Sequence, residues 1–227
     1  MMSVAAISFI KLQSSDQPAT YLSRVISERL AASDRVIWLL PGGSAIQIAV
    51  KATDLLAESA ANLEKLQVSL SDERYGPVGH PDSNWQQLVE AGLALPGAQL
   101  QPVLKGLSLP ETTKAYDQSL ANDFANADYR IGLLGIGEDG HIAGIKPGSP
   151  AIHTNAMAVG YKWDDYIRLS MSAAAISRLD EVVVYAAGEA KRQVLEQLDQ
   201  DVAIAIQPAQ ILKRVPRVSV YNDVKGD

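Results

Sequence analysis

The feature that most limits how this chain can fold is a regular alternation of two kinds of segment. Short runs rich in Val, Ile and Leu are typical of buried strands, and the segments between them show the three- and four-residue apolar spacing of helices. Strands are predicted at 4–10, 36–40, 68–70, 129–136, 166–171, 181–187 and 218–221. Helices are predicted at 18–32, 44–59, 83–91, 111–124 and 189–198. The alternation favours a layered α/β fold with a largely parallel sheet.

The domain organisation follows from length and from one irregular stretch. A chain of 227 residues is compatible with one large domain or two small ones. Residues 93–110 contain three prolines and two glycines, which indicates an extended connection. We interpret it as a surface excursion rather than a subdomain boundary, because the alternation resumes directly after it. A single domain over residues 1–227 is therefore expected.

Composition excludes several classes of function. The absence of cysteine excludes disulfides, thiolate nucleophiles and thiolate zinc sites, and is compatible with a reducing compartment. A net charge of −6 argues against a nucleic-acid surface, so an anionic ligand must meet a local basic pocket. The apolar runs are far shorter than the ~20 residues of a membrane span, and the N-terminus lacks a basic signal-peptide region. We expect a cytoplasmic protein without membrane or nucleic-acid partners.

A glycine pair at the end of the second predicted strand is the first candidate site. Gly42, Gly43 and Ser44 lie where the strand passes into a helix. Glycines permit close approach of a ligand to the backbone, and the free N–H groups of a helix start attract anions. The segment is therefore a phosphate loop or, alternatively, a tight turn capped by Ser44.

A charged triplet follows the third predicted strand. Asp72, Glu73 and Arg74 are placed at the carboxyl end of that strand, where open α/β sheets bind ligands. There a carboxylate and a guanidinium can orient a substrate and neutralise developing negative charge. A solvated surface loop is the alternative. The polar residues that follow are interpreted as turn and helix-cap residues: His80, Asp82, Ser83 and Asn84.

The most informative segment is the glycine-rich turn that contains Asp139 and His141 after the fourth predicted strand. Histidine is suited to proton transfer near neutral pH, although a structural role in a tight loop is also open. The glycines at 135, 137 and 140 match G-x-G-x-x-G. A dinucleotide site would need a long helix directly afterwards, and the glycines and proline at 144, 147 and 148 prevent one.

Two basic residues complete the candidates. Arg168 lies on a predicted strand and Lys191 at the start of a predicted helix. Both can reach a phosphate, and surface salt bridges are the alternative for each.

Taken together, these segments resemble the glucosamine-6-phosphate isomerase/6-phosphogluconolactonase family. The specific parts are DERYGPVGHPDSN, GIGEDGH with PGSPA, and RLSMSAAAISRLDEVVVYAAGEAK, and the likeness runs from about residue 38 to 221. The resemblance implies a doubly wound α/β fold with helices on both faces, and hydrolysis of 6-phospho-D-glucono-1,5-lactone without metal or organic cofactor. The substrate is then a small phosphorylated sugar lactone, and the protein a monomer or small homo-oligomer.

The resemblance also implies roles for individual residues. His141 matches the proton-transferring histidine, and Asp72 and Arg74 match the acid and base that line its pocket. We expect Asp139 or a backbone carbonyl to orient the imidazole ring. The positions that match the family's phosphate site are Gly42, Gly43, Ser44, Arg168 and Lys191.

The resemblance leaves two alternative functions open, and the chain differs from the usual family residues at several positions. Related deaminases tend to have D-E-Y where this chain has D-E-R, so Arg74 favours lactone hydrolysis over an amino-sugar-phosphate deaminase or isomerase. A non-catalytic sugar-phosphate-binding module is the other rival. The chain departs from the usual family residues at Pro41, Ala45, Ile46, Ile142, Gly144 and Lys146. Lys146 either adds positive charge to the pocket or points to solvent.

Overall fold

A seven-stranded parallel sheet forms the centre of the molecule. The computed structural model describes residues 7–59, 61–164 and 166–226. In chain order the strands and α-helices are β1 Ile7–Lys11, α1 Gln17–Ala31, β2 Val36–Leu40, α2 Ile46–Ala57, β3 Leu66–Leu70, β4 Asp72–Arg74, α3 Asn84–Glu90, β5 Gln99–Leu100, α4 Leu109–Asn126, β6 Tyr129–Gly135, β7 Ala158–Lys162, β8 Ile167–Met171, α5 Ala173–Ile176, β9 Glu181–Ala186, α6 Arg192–Gln197 and β10 Arg217–Asn222.

The strand order of the main sheet is β1-β10-β9-β6-β2-β3-β5, and every neighbouring pair is parallel. The chain passes from β2 to β3 in one direction, and from β6 through β9 to β10 in the other. Right-handed crossovers in opposite directions place helices on opposite faces of the sheet. The predicted doubly wound α/β fold is confirmed, and its switch point lies between β2 and β6.

Burial explains why these segments become strands of a covered sheet. All five residues of β2 are buried, and the indole of Trp38 lies in register between Val68 of β3 and Ile131 of β6. Strands buried on both faces are continuously apolar, as these runs are. The hydrophobic effect, at about 25 cal/mol per Å² of apolar surface removed from water, stabilises this arrangement.

A second, antiparallel sheet has the order β4-β8-β7 and lies beyond the carboxyl end of β3. Its register pairs Asp72 with Ser170 and Arg74 with Arg168. Ser71 joins the two sheets, because its N–H donates to the Leu40 carbonyl at 2.9 Å and its own carbonyl accepts from Met171 N–H at 2.9 Å. The charged triplet therefore projects from the carboxyl edge of the main sheet.

Several predicted elements differ from the structure. The predicted strand 166–171 is β8 and belongs to the antiparallel sheet, while residues 4–6 of the first predicted strand lie outside the described residues. The predicted helix 44–59 begins as a 3-10 turn at Gly43–Ala45 and becomes α-helical at Ile46. Three short strands were not predicted, because two or three residues (β4, β5) or a Gly-containing run (β7) produce no clear period.

The proline-containing stretch 93–110 contributes β5 to the edge of the main sheet, beside β3, and ends as α4 begins. After the glycine-rich turn, the described residues contain no α-helix before α5, as the spacing of glycine and proline predicts. Among the residues that the structure describes, no helix is both long enough and apolar enough to cross a bilayer.

Candidate active site

The carboxyl ends of four neighbouring strands, β9, β6, β2 and β3, open onto one cleft of about 200 Å³. Parallel strands bring their carboxyl ends to the same edge of a sheet, which is where doubly wound folds bind ligands. Every candidate site residue except Asp139 lines the cleft: Gly42, Gly43, Ser44, Asp72, Arg74, His141, Arg168 and Lys191. The fold thus assembles side chains that are up to 149 residues apart in sequence.

The loop after β2 supplies backbone rather than side-chain groups to the cleft. A Cβ on Gly42 would lie 2.2 Å from Asn84 Oδ1, so only glycine fits there, and Gly43 has a φ of +66°. Ser44 is not the N-cap of α2, since the helix begins two residues later and has no side-chain cap. This corrects the capped-turn interpretation. The 3-10 turn Gly43–Ala45 that precedes α2 has no side-chain cap either, so the first N–H groups of the turn have no capping side chain, as an anion site requires.

Asp72 is the buried acid of the cleft. Its carboxylate accepts hydrogen bonds from Ser71 Oγ at 3.2 Å and Asn84 Nδ2 at 3.4 Å. Burial raises the pKa of Asp72, although the charge of Arg168, the hydrogen bond from Ser71 and the charges of His141 and Arg74 act in the opposite direction. A carboxyl group in this position can accept a hydrogen bond from water or a sugar hydroxyl.

Glu73 does not line the cleft but holds its wall together. The buried carboxylate accepts hydrogen bonds from the N–H groups of Arg74 (2.7 Å), Asn84 (2.6 Å) and Trp85 (3.1 Å), and from Ser83 Oγ (2.9 Å). Burial raises the pKa of Glu73, and these hydrogen bonds oppose that shift. The side chain therefore ties β4 to the start of α3, where Ser83 is the N-cap as predicted.

Positive charge is concentrated on one side of the cleft. The antiparallel register places Arg74 opposite Arg168, and both guanidinium groups lie against the ring of Tyr166, at 4.6 and 5.6 Å from its centroid. Lys191 enters from the 3-10 turn after β9. Three cations therefore line the same cleft. Such a group of charged N–H donors can bind a phosphate through charge-assisted hydrogen bonds.

His141 is held from behind by Asp139. The ring Nδ1 lies 2.5 Å from Asp139 Oδ1, and the His141 backbone N–H donates to the same oxygen at 3.2 Å. Although burial alone would raise the pKa of Asp139, the hydrogen bond and charge of His141 and the hydrogen bond from Lys146 hold it well below the usual range. An ionised carboxylate can only accept, so Nδ1 carries the proton and Nε2 is the nitrogen left for chemistry.

Glycine is required for this close geometry. A Cβ on Gly137 would lie 2.0 Å from His141 Nδ1 and 2.7 Å from Asp139 Oδ1. Gly140 has a φ of +79°, and its Cα faces Gln207. The glycines that resemble a dinucleotide motif therefore shape a tight loop around the imidazole ring.

The structure answers the open question about Lys146. Its Nζ donates to Asp139 Oδ2 at 3.0 Å and lies 3.0 Å from His141 Nδ1, and its side chain is only 14% exposed. Lys146 therefore neither lines the cleft nor points to solvent. It lies behind the Asp139–His141 pair.

Gly144 departs from the usual family residue for a packing reason. A Cβ there would lie 2.8 Å from Ser170 Cβ and 3.2 Å from Asp72 Cβ. Its N–H donates to Ser170 Oγ at 3.1 Å, and its carbonyl accepts from Tyr161 Oη. The neighbouring departure, Ile142, is completely buried.

Sequence reasoning missed several residues that line the cleft, namely Ser71, Ile136, Ala143 and, with the most polar side chain, Asn84. Asn84 was expected to be a turn or cap residue, but its side chain lies in the cleft and its Nδ2 donates to the Asp72 carbonyl at 2.9 Å. Its buried Oδ1 has no protein hydrogen-bond partner. The signal available in the sequence was its position one residue after the cap of a helix that follows the D-E-R segment. His80 lies outside the cleft, and its Nε2–H donates to the Arg74 carbonyl at 2.9 Å.

The fold and the cleft define a class of protein: a doubly wound α/β protein whose central strands end at a cationic cleft with a carboxylate-held histidine. The family model described as glucosamine-6-phosphate isomerases/6-phosphogluconolactonase matches residues 12–220. The chain belongs to this family. Among the described residues no group of three or more His, Asp or Glu is placed to hold a metal ion.

Individual relatives agree with this membership. A 6-phosphogluconolactonase of Caulobacter vibrioides is 30% identical over 88% of this chain and 88% of its own length. One from Synechocystis is 33% identical over 64% of this chain and 65% of its own length. The crystal structure of a 6-phosphogluconolactonase from Shewanella baltica superposes with a TM-score of 0.81 over 96% of this chain and 99% of that one, at 19% identity. At that identity the superposition shows the shared fold.

Proposed function

We propose that this chain hydrolyses 6-phospho-D-glucono-1,5-lactone to 6-phosphogluconate, the lactone-opening step of the oxidative pentose phosphate pathway. It does so by general acid/base catalysis, without metal or organic cofactor, in the cytoplasm. The observation that supports this most directly is a histidine, held by an ionised carboxylate, in the same cleft as three cations. The named activity of the relatives supports the same substrate.

The proton transfers follow from the protonation state of the His141 imidazole, in which Nδ1 carries the proton and Nε2 does not. As a water oxygen attacks the lactone carbonyl carbon, Nε2 of His141 takes a proton from that water, and the carbonyl electron pair moves onto oxygen. When the C=O bond re-forms, the bond from this carbon to the ring oxygen breaks, and the ring oxygen takes the proton from Nε2. Asp139 accepts from Nδ1–H throughout and stabilises the imidazolium formed between the two steps.

The other cleft residues are assigned by charge and position. Arg74 steadies the carbonyl oxygen as it becomes negative, and Asp72 positions the water or a sugar hydroxyl. Asn84 Oδ1, which lacks a protein donor, accepts from another hydroxyl of the sugar. The phosphate is bound by Arg168, Lys191 and the N–H groups of the loop 42–44.

Replacing the imidazole tests the chemical step. His141→Ala should lower kcat at least about 100-fold with KM little changed, because general acid/base help contributes about 100- to 10,000-fold and the phosphate site remains. The measurement is consumption of 6-phosphogluconolactone by purified protein, corrected for spontaneous loss. His153→Ala, at an exposed histidine that does not line the cleft, is the matched control. Undiminished turnover in His141→Ala would remove His141 from the mechanism.

Removing one cation tests the phosphate site. Lys191→Ala should raise KM for the phosphorylated lactone about 10-fold or more, since a charge-assisted hydrogen bond contributes about 1.5–3 kcal/mol. The KM for unphosphorylated glucono-1,5-lactone should be much less affected. Lys51→Ala, an exposed lysine on α2, is the charge-matched control. If wild type hydrolysed both lactones equally well, the assigned phosphate site would be wrong.

The two rivals predict other outcomes in the same assays. An amino-sugar-phosphate deaminase, with Asp72 as base, would release ammonia from glucosamine 6-phosphate. A sugar-phosphate-binding module would bind 6-phosphogluconate without turning over the lactone.

A further inference from the structure

Lys146 contacts both members of the pair that the proposed chemistry uses. Its Nζ is 3.0 Å from Asp139 Oδ2 and 3.0 Å from His141 Nδ1, while Asp139 Oδ1 is occupied by the ring and by a backbone N–H. Both carboxylate oxygens of Asp139 are thus engaged by different partners. We infer that Lys146 is a positioning residue, which holds the Asp139 carboxylate in the orientation that presents Nε2 of His141 to the cleft.

The need for such a residue follows from exposure. The side chain of Asp139 is 45% exposed and lies between Gly137 and Gly140 in the loop, so burial alone does little to fix its orientation. A carboxylate held through only one oxygen could rotate towards water, and the ring would lose its orientation with it. Lys146 is suited to prevent this because its own side chain is only 14% exposed and its backbone N–H donates to Tyr161 Oη at 3.3 Å.

The contact of Nζ with the ring differs from the contact with the carboxylate. Lysine has three N–H donors and no acceptor, and Nδ1 already uses its proton towards Asp139. Lys146 therefore donates to Asp139 and only lies against the ring edge. Its effect on His141 is predicted to pass through Asp139.

A double-mutant cycle tests whether Lys146 acts on His141 through Asp139. This inference rests on the role proposed for His141. Kinetic constants for lactone hydrolysis are measured for wild type, Lys146→Met, Asp139→Asn and the double variant. Lys146→Met should lower kcat about 10-fold at nearly unchanged KM, and Lys146→Arg should recover part of the loss. In the Asp139→Asn background Lys146→Met should have little further effect, because coupled neighbours are not additive. Lys51→Met should match wild type.

Three kinetic results would overturn the inference: an unchanged kcat in Lys146→Met, a raised KM at constant kcat, or an undiminished effect of Lys146→Met in the Asp139→Asn background. The second would place Lys146 on the substrate, and the third would show that Lys146 acts independently of Asp139. Far-UV circular dichroism checks that each variant is folded. If Lys146→Met is not folded, Lys146→Arg still tests the contact with Asp139.

An NMR measurement without substrate separates this inference from the proposed function. The strongly hydrogen-bonded Nδ1 proton of His141 should give a downfield resonance in the wild type that is lost in His141→Ala and Asp139→Asn. In Lys146→Met it should exchange faster with water, and in Lys51→Met it should not. If this pattern holds in a protein that does not hydrolyse the lactone, the proposed function fails and the positioning role stands. Equal exchange in wild type and Lys146→Met would overturn the positioning role.

Discussion

Single atoms decide whether the imidazole can lie where it does. Gly137 leaves room for the ring, and Gly144 leaves room for Ser170 and Asp72. Both constraints come from close approach rather than from backbone conformation, since neither glycine has a positive φ. Within the segment that looks like a nucleotide motif, Gly137 is therefore explained by the packing of the histidine loop.

A methyl group at position 137 is predicted to displace this ring. Gly137→Ala places Cβ 2.0 Å from His141 Nδ1, so the Asp139–His141 contact must open. A misplacement of about 1 Å in a catalytic group can cost about 100-fold in rate. We expect a loss of kcat of this size in the lactone assay.

Gly135→Ala is the matched control, because Gly135 lies two residues earlier at the end of β6 and an added Cβ there has no neighbour within 4 Å. Its loss of kcat should be much smaller. Because Gly135 also lines the cleft, any obstruction of the substrate by the new methyl group would raise KM instead. Equal losses in the two variants would show that the clash with the ring is not the cause.

At the level of secondary-structure elements, the shape of the cleft depends on hydrogen bonds that connect strands to each other and to helices. Glu73 accepts hydrogen bonds from backbone N–H groups at the start of α3 and at the end of its own strand, so it connects β4 to α3. Ser71 connects β2, β3 and β8 through backbone hydrogen bonds. These hydrogen bonds hold the D-E-R segment on the side of the cleft that faces His141, although the segment belongs to the smaller, antiparallel sheet.

The opposite, amino-terminal edge of the main sheet contains a buried acid. Glu181 at the start of β9 accepts hydrogen bonds from Tyr21 (2.6 Å), from Tyr129 and from Arg217 (3.1 Å). Burial raises the pKa of Tyr129, and so do the hydrogen bond to Glu181 and the negative charge of Glu181. Burial is also the main cause that raises the pKa of Tyr221 to about 12. The elements α1, β6, β9 and β10 therefore share one polar cluster.

Stability of the whole molecule should fall at alkaline pH through this cluster. Below pH 10 both folded and unfolded chains keep the phenol protons, and the stabilisation is complete. Above the unfolded pKa of 10.0 the unfolded chain loses its protons first, so the free energy of unfolding decreases as pH rises towards the raised folded pKa values. Tyr129 and Tyr221 each contribute about 1 kcal/mol to this loss of stability between pH 9 and 11.

Urea denaturation followed by circular dichroism at pH 9 and 11 measures the loss. Tyr129→Phe should be less stable than wild type at pH 9, since the carboxylate of Glu181 loses a donor, but its stability should fall by about 1 kcal/mol less on going to pH 11. Tyr75→Phe, in a loop outside the cluster, controls for the loss of any tyrosine. The same decrease in Tyr129→Phe and wild type would exclude Tyr129 as a source of the alkaline effect.

The fold class, and the strand ends that carry the candidate residues, could be predicted from the order of the residues alone. Buried parallel strands are continuously apolar, and their carboxyl ends are followed by glycine-rich or charged segments, so both features are local and visible in the chain. Gly42, Asp72, His141 and Lys191 were located in this way before their distances were known. Resemblance to a family then supplied candidate roles for the same positions.

The hydrogen-bond and packing partners of these residues could not be predicted without the folded chain. The short strand β4, the place of β8 in an antiparallel sheet, and the side chain of Asn84 in the cleft depend on contacts between segments distant in sequence. Lys146 was undetermined for the same reason: a lysine five residues from a histidine can face solvent or fold back. A tight loop with Gly137 and Gly140 brings it back onto Asp139, because close approach is set by three-dimensional packing and not by spacing along the chain.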